Sequence, residues 1–319
     1  QPVEVTEYRI NHYLCKSCGN KVVAQAAIPD KGRFGANTLA HTTLLKFEDR
    51  LPLRKVCSSL KRQFNLNMSS ATVFDITRRV SDKLVAEYNK IQAFLRRSKS
   101  VNIDETGMRV DGLNFHLWAF RNKKATLYLI RKSRGKGVIE EVLGKNYKGV
   151  IGCDGWTSYS SYTDNMQRCW AHLLREVKKL NEKHDGVEGF HKSFKKMFMQ
   201  IEQVRSKPPP LEVRQALFMQ LKEEMRELVK QMNVYTQLRK FAGKVKNGLE
   251  YWFTCVIHLF VEPTNNIAER ALRELVVQRK IIGGLRREKG ARIMETVCSM
   301  IATWKQQQLP LFATLKSYL

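Results

Sequence analysis

Two spacings of apolar residues divide this chain, and the architecture is expected to change where the spacing does. From Val73 to Leu95 the apolar positions Val73, Ile76, Val80, Leu84, Tyr88, Ile91 and Leu95 recur at steps of three and four, one stripe of a long helix. A shorter helix starts near Leu51-Pro52-Leu53 and runs toward Phe64, Asn65-Leu66-Asn67 breaks it, and Ser69 or Ser70 offers the next N-cap. At Val101 the period falls to two. Val101–Val110 reads as a strand, Asp111-Gly112 as a two-residue hairpin turn, Phe115–Phe120 as the returning strand and Ala125–Arg131 as a third. The helix Val138–Leu143 follows, then a fourth strand, Gly149–Cys153, ending on Asp154. Gln167–His172 fits a fifth strand or a helix start equally well.

Beyond residue 174 the three-four spacing returns. Phe190, Phe194, Phe198 and Ile201 mark one stripe, and Val213, Leu217, Leu221, Met225, Leu228, Met232, Tyr235 and Leu238 mark another. Lys207-Pro208-Pro209-Pro210 separates them, so the pair predicts an inserted helical hairpin. Asn265–Arg270 opens a basic helix, and Ile293–Leu319 predicts one or two terminal packing helices. Three antiparallel strands, a helical crossover and a further strand are the order of a ribonuclease-H-like core. The expected class is therefore α/β, a mixed sheet with a helical insertion, preceded by a helical region and a partial zinc knuckle. The expected segments are 1–36 (zinc-binding), 37–98 (helical, DNA-binding), 99–178 (first part of the core), 179–262 (insertion) and 263–319 (catalytic helix and C-terminal helices).

Charge narrows the partner. The chain has 56 Lys+Arg against 30 Asp+Glu, formally +26, a surplus that self-repels unless a polyanion or an anionic surface offsets it. No apolar run approaches the roughly 18 residues of a spanning helix, and no signal segment is visible. Nucleic acid is the favoured partner and the membrane is not; a generically basic protein is the plainer alternative. The cysteines number seven, without disulfide-framework spacing, which fits a reducing cytoplasm and, with DNA as partner, association with the nucleoid. A start at Gln1 instead of Met is expected of a fragment.

The candidate chemistry lies in acids placed where a lone charge is costly. Asp104 sits in the middle of a strand that reads as buried, and Glu105 points to the opposite face. Asp154 ends the fourth strand, and Glu269 lies in the first turn of the basic helix. Hydrolysis of a phosphodiester at neutral pH is well served by two hard divalent ions about 3.5–4 Å apart, held by carboxylates from separate elements. Asp104, Asp154 and Glu269 suit that requirement as a Mg²⁺ or Mn²⁺ set. Each has a plainer reading: a solvent-facing residue on an edge strand, the start of a Gly-containing turn, and a capping box with Asn266.

Four other groups carry candidate roles. The short helix, turn and longer basic helix suggest a helix-turn-helix with Thr72, Arg78 and Arg79 near its exposed face, although a plain helical hairpin has the same pattern. Cys15-Lys16-Ser17-Cys18-Gly19 is half of a zinc knuckle, to be completed by His12, His41 or a pair upstream of Gln1, or else two free thiols. Cys169-Trp170-Ala171-His172 is a Cys-x-x-His half-site. His172 is placed near the active site as a phosphate contact and Trp170 in the core, a hydrogen-bonded core histidine being the alternative. Arg270, Arg273, Arg286 and Arg287 crowd the helix of Glu269 and suit phosphate contacts.

In these same segments the chain resembles the insertion-sequence-66 family of DDE transposases. The likeness rests on IDET at 103–106, CDGWTSY at 153–159, CWAHLLRE at 169–176, NNIAERALR at 265–273 and, upstream, LAHTTLLKFEDRLPLRK at 39–55. It implies that Asp104, Asp154 and Glu269 are a catalytic triad binding two Mg²⁺ or Mn²⁺ ions. It also implies cleavage at the ends of a mobile element, transfer of the freed 3′-OH into target DNA, and a dimer or larger synaptic assembly. Cys15 and Cys18 would be the second half of a structural zinc segment. Two alternatives stay open: a nuclease or resolvase that cuts without joining, and a transposase-derived DNA-binding regulator without catalysis.

Overall fold

The computed structural model describes residues 4–23, 34–155, 157–185 and 187–319, in two compact units, 1–83 with 310–319 and 84–309. The first unit contains a small hairpin, β1 (His12–Leu14) and β2 (Lys21–Val23), and the helices α1 (Ala36–Phe47) and α2 (Leu53–Phe64). It also takes the first half of α3 (Ser70–Arg96) and the C-terminal helix Leu311–Lys316. The breaks fall where the local chemistry puts them. Pro52 stands at the N-cap of α2, Asn65 ends that helix at φ 54°, and Ser69 Oγ accepts the Thr72 N–H at 3.0 Å to cap α3. Leu45, Val56, Leu60 and Val73 close the apolar cluster between these helices, with Phe64 and Leu66 against it.

The second unit is built on a five-stranded mixed sheet. Its strands are β3 (Ser100–Val110), β4 (Leu113–Arg121), β5 (Thr126–Arg131), β6 (Val150–Cys153) and β7 (Met166–Arg168), in the order β5-β4-β3-β6-β7. β3, β4 and β5 form an antiparallel meander, and β6 and β7 continue it in parallel. Asp111 and Gly112 both have positive φ, 52° and 71°, the requirement of the tight turn that matches strand twist. The helix α4 (Lys136–Leu143) makes the crossover to β6. Gln167–His172 turns out to serve both purposes: β7 ends at Arg168 and a helix starts at Trp170.

After β6 come the short α5 (Thr157–Ser160), then α6 (Trp170–Lys183), α7 (Glu188–Ser206), α8 (Leu211–Val234), α9 (Arg239–Asn247) and α10 (Thr254–Ile257). The helices from α6 onward share one apolar core that includes Trp170, Phe194, Ile201, Leu221, Met225 and Phe253. The second expected stripe holds from Leu217 through Met232 and again at Leu238, but Val213 is 53% exposed and Tyr235 36%. The chain then returns through α11 (Asn266–Ile282) and α12 (Glu288–Gln306).

β5 lies at a sheet edge, where alternate N–H groups lack a strand partner. In α12, Glu295, Ser299 and Thr303 accept from Ile130, Tyr128 and Thr126 at 2.8, 2.8 and 3.1 Å. Four helical residues advance about 6 Å and two strand residues about 6.8 Å, so the two ladders stay in step over three rungs. Glu295, Ser299 and Thr303, one helical turn apart, therefore tie α12 to the open edge of the sheet.

Candidate active site

The parallel register of β3 and β6 pairs Asn102 with Gly152. Asp104 lies two residues beyond Asn102 in β3, and Asp154 two residues beyond Gly152, just past the end of β6. Side chains two apart on a strand share a face, so Asp104 leaves the sheet on the side of Asn102, and the charge of Asp154 is felt there. Gly152 is required there, because a Cβ at that position would overlap the Asn102 side-chain amide. Gly152→Ala is expected to destabilise the fold by about 1–3 kcal/mol, as overpacking does, measured as a lower urea midpoint.

That amide ties the sheet to α11. Asn102 Nδ2 donates to Asn265 Oδ1 at 2.9 Å, and Asn265 Nδ2 donates to the Ile103 carbonyl at 2.8 Å. Both asparagines are buried. The Asn265 N–H donates to Cys169 Sγ at 3.1 Å, and the Trp170 N–H to the Pro263 carbonyl at 3.0 Å. The start of α11 is thus held against β3 and against the start of α6, and Glu269 lies in its first turn. Asn265 is the N-cap residue and makes no side-chain cap bond, and the Glu269 carboxylate meets Arg175 at 3.3 Å. A capping box therefore does not account for Glu269. Nor is Asp104 on an edge, since β3 is the central strand.

Asp104 senses the neighbouring acids. The Asp104 carboxyl is pushed up to about 7, first by burial and then by the charges of Glu105, Asp154 and Glu269. Among the described residues no cation forms an ion pair with it. Glu105, on the other face, accepts from Arg134 at 2.8 Å and from the Tyr159 hydroxyl. Burial raises its carboxyl as well, against the pull of those two donors. Glu105 is thus held by Arg134 and Tyr159, and the Asp104 face gathers acids whose repulsion a hard divalent ion would relieve.

α6 adds a second layer. His172 Nδ1 lies 3.4 Å from Glu269 Oε1, and burial draws the imidazole below its usual value, against the attraction of Glu269. Trp170 is fully buried and donates from Nε1 to the Trp252 carbonyl at 2.6 Å. Residues not foreseen also stand here. Arg175, three after His172 on the same helical face, carried a readable signal in that spacing. Lys244 of α9 pairs with Glu176, and its chain lies beside Gly155, next to Asp154. Arg168 is buried between Tyr251 and Trp252, with its guanidinium 5.8 and 5.7 Å from the two rings. Nothing in the local sequence points to Lys244 or Arg168, because the insertion brings their surroundings from about eighty residues away.

Of the expected phosphate contacts, Arg270, Arg273, Arg286 and Arg287 are exposed. Arg273 stands four after Glu269, and Arg286 and Arg287 follow Leu285, whose backbone bridges to the end of β3. In the first unit, Arg78 pairs with Asp75 and Asp82 at 2.7 and 2.8 Å, and Arg79 with Asp75 at 3.1 Å, so both are held by carboxylates of their own helix. Cys15 and Cys18 flank the turn between β1 and β2, with Gly19 at φ 67°. The Cys15 thiol is drawn down to about 6 by the Ser17 hydroxyl and backbone N–H groups, as suits a metal ligand. Among the described residues no third ligand joins this pair, and His41 packs edge-on against Phe64 at 5.3 Å. Among the described residues no helix is long and apolar enough to cross a membrane.

Comparison with curated proteins found no match. A family model described as transposase IS66 family matches residues 31–293, which takes in Asp104, Asp154, His172, Arg175 and Glu269. With a match of that extent, the chain belongs to the IS66 family of transposases.

Proposed function

We propose that this transposase cuts DNA at the ends of its element and transfers the resulting 3′-OH into target DNA, with Asp104, Asp154 and Glu269 as its catalytic carboxylates. One observation carries the reading: Asp104 lies two residues beyond Asn102 in the middle of β3, Asp154 two beyond its partner Gly152 just past the end of β6, and the first turn of α11 is tied to the same face. The strand order β5-β4-β3-β6-β7, antiparallel and then parallel, supports a ribonuclease-H-like core.

Asp104, Asp154 and Glu269 would hold two Mg²⁺ or Mn²⁺ ions, which would supply an activated water or 3′-OH and stabilisation of the departing oxygen. The chain's own groups do the positioning. His172 and Arg175 stand at Glu269 with donors for the scissile phosphate, Lys244 adds positive charge beside the Asp154 turn, and Arg270, Arg273, Arg286 and Arg287 grip the flanking backbone. The α2–α3 region reads element ends, and two copies pair the two ends.

Pre-cut element ends incubated with plasmid and Mg²⁺ test this directly. Joined products are expected from the native chain, with Asp154→Asn and Glu269→Gln lowering their yield by at least about a thousandfold, some 4 kcal/mol. DNA binding in gel shift should persist in both variants. Cutting without joining would point to a resolvase, and full joining by either variant would remove that residue from the triad.

A further inference from the structure

The Cys-x-x-His pair of α6 is a motif that the reaction above leaves without a metal. Cys169 is the N-cap residue of that helix and His172 lies in its first turn, so both side chains leave the same end. Glu269 reaches them from the first turn of α11. One donor atom from each, sulfur, imidazole nitrogen and carboxylate oxygen, lie within 4.8 Å of one another. A tetrahedral ion with bonds of about 2.0–2.3 Å holds its donors roughly 3.3–3.8 Å apart. The set is therefore about an ångström from closing on an ion, within the range of small side-chain adjustments.

Two further features favour a cation at this point. His172 Nδ1 is buried and makes no hydrogen bond, although it lies only 3.4 Å from Glu269 Oε1. Cys169 Sγ accepts the Asn265 N–H at 3.1 Å, the type of outer contact that steadies a thiolate ligand. The backbone beneath is also fixed, since the Cys169 N–H donates to the Cys153 carbonyl at 3.0 Å.

We propose that Cys169, His172 and Glu269 form a site for a single thiophilic transition-metal ion of the zinc or cobalt class, with a fourth position open to water. Sulfur and imidazole select such an ion over Mg²⁺. On binding, the Cys169 thiol releases its proton to solvent and the sulfur bonds the ion. Glu269 belongs to both this set and the proposed Mg²⁺ or Mn²⁺ set, so zinc occupancy withdraws it and inhibits DNA cleavage. That consequence rests on the triad reading; the binding itself does not.

Cobalt titration of the full chain, in a Cys15→Ser/Cys18→Ser background and without DNA, tests the site. One equivalent of Co²⁺ should produce a near-ultraviolet sulfur-to-cobalt band with the visible spectrum of a four-coordinate ion. Zn²⁺ should displace it, and excess Mg²⁺ should not. Cys169→Ser should abolish the band. His172→Ala, at a half-exposed position the fold tolerates, should weaken Co²⁺ at least about tenfold, the loss of one strong ligand. Circular dichroism checks that each variant is folded. The absence of a band in the double-serine background, or a band indifferent to both Cys169→Ser and His172→Ala, would overturn the proposal. Asp104→Asn should retain the band while losing cleavage, so a failure of the triad reading and a failure of this site give different results.

Discussion

Asp104→Asn is expected to abolish metal-dependent cleavage and, at the same time, to stabilise the metal-free protein above neutral pH. The loss of cleavage should reach about three orders of magnitude or more, on the order of 4 kcal/mol in the barrier. The gain in stability follows from the raised carboxyl. The group titrates at an ordinary 3.8 when unfolded and near about 7 when folded, so the folded state binds the proton more tightly. Its contribution is favourable below the unfolded value and is lost as pH rises through the folded one. Metal-free native protein should therefore lose stability between about pH 4 and 8 relative to the variant. A displacement of that size corresponds to at most about 4 kcal/mol, and solvent access to the site brings the expected difference to about 1–3 kcal/mol. Urea melts at about pH 5 and 8 measure it. Mg²⁺ should then raise the melting temperature of the native chain at the higher pH and leave Asp104→Asn nearly unmoved. Equal stabilities of the two chains at both values would show that Asp104 is not crowded by the neighbouring acids.

Asn265→Ala should have the second largest effect, although no substrate atom is assigned to it. The substitution removes the acceptor for Asn102 Nδ2 and the donor to the Ile103 carbonyl, both inside the protein. Leaving buried partners unpaired costs about 1–3 kcal/mol each, so a total of about 2–6 kcal/mol is expected. The same two bonds register α11 on β3, and with it Glu269 on Asp104. A shift of about 1 Å there lowers turnover roughly a hundredfold. Because Asn102 acts through Asn265, the Asn102→Ala and Asn265→Ala losses should not add in a double-mutant cycle. Native-like cleavage by Asn265→Ala would mean that the position of α11 is set elsewhere.

Much of the scaffold is legible in the sequence. The Asp111-Gly112 turn was readable because few dipeptides tolerate positive φ at both positions. The α3 stripe was readable because seven apolar residues at helical spacing leave one way to bury them; Val73, Ile76, Val80, Leu84 and Leu95 are completely buried. Gln167–His172 was ambiguous because three strand residues and the first turn of a helix are too short for either period to show. The apolar spacing of α8 overreaches at Val213, since spacing marks a face and not how far along the helix a neighbour extends. Arg78 and Arg79 look like free cations in a list of residues, yet Asp75 and Asp82 lie within one helical turn and hold them.

What the sequence determined by itself is therefore local: where strands and helices run, which turns close, and which residue types could hold a hard cation. Those follow from backbone sterics and side-chain periodicity, which act over a few residues. Only the tertiary structure decided that Asn102 meets Gly152 across β3 and β6, that Asn265 locks α11 to the same face, and that Glu295, Ser299 and Thr303 cover the open edge of β5. Each is a pairing across fifty residues or more along the chain, and no local spacing encodes it; it arises because buried polar groups must find partners once the apolar faces have packed.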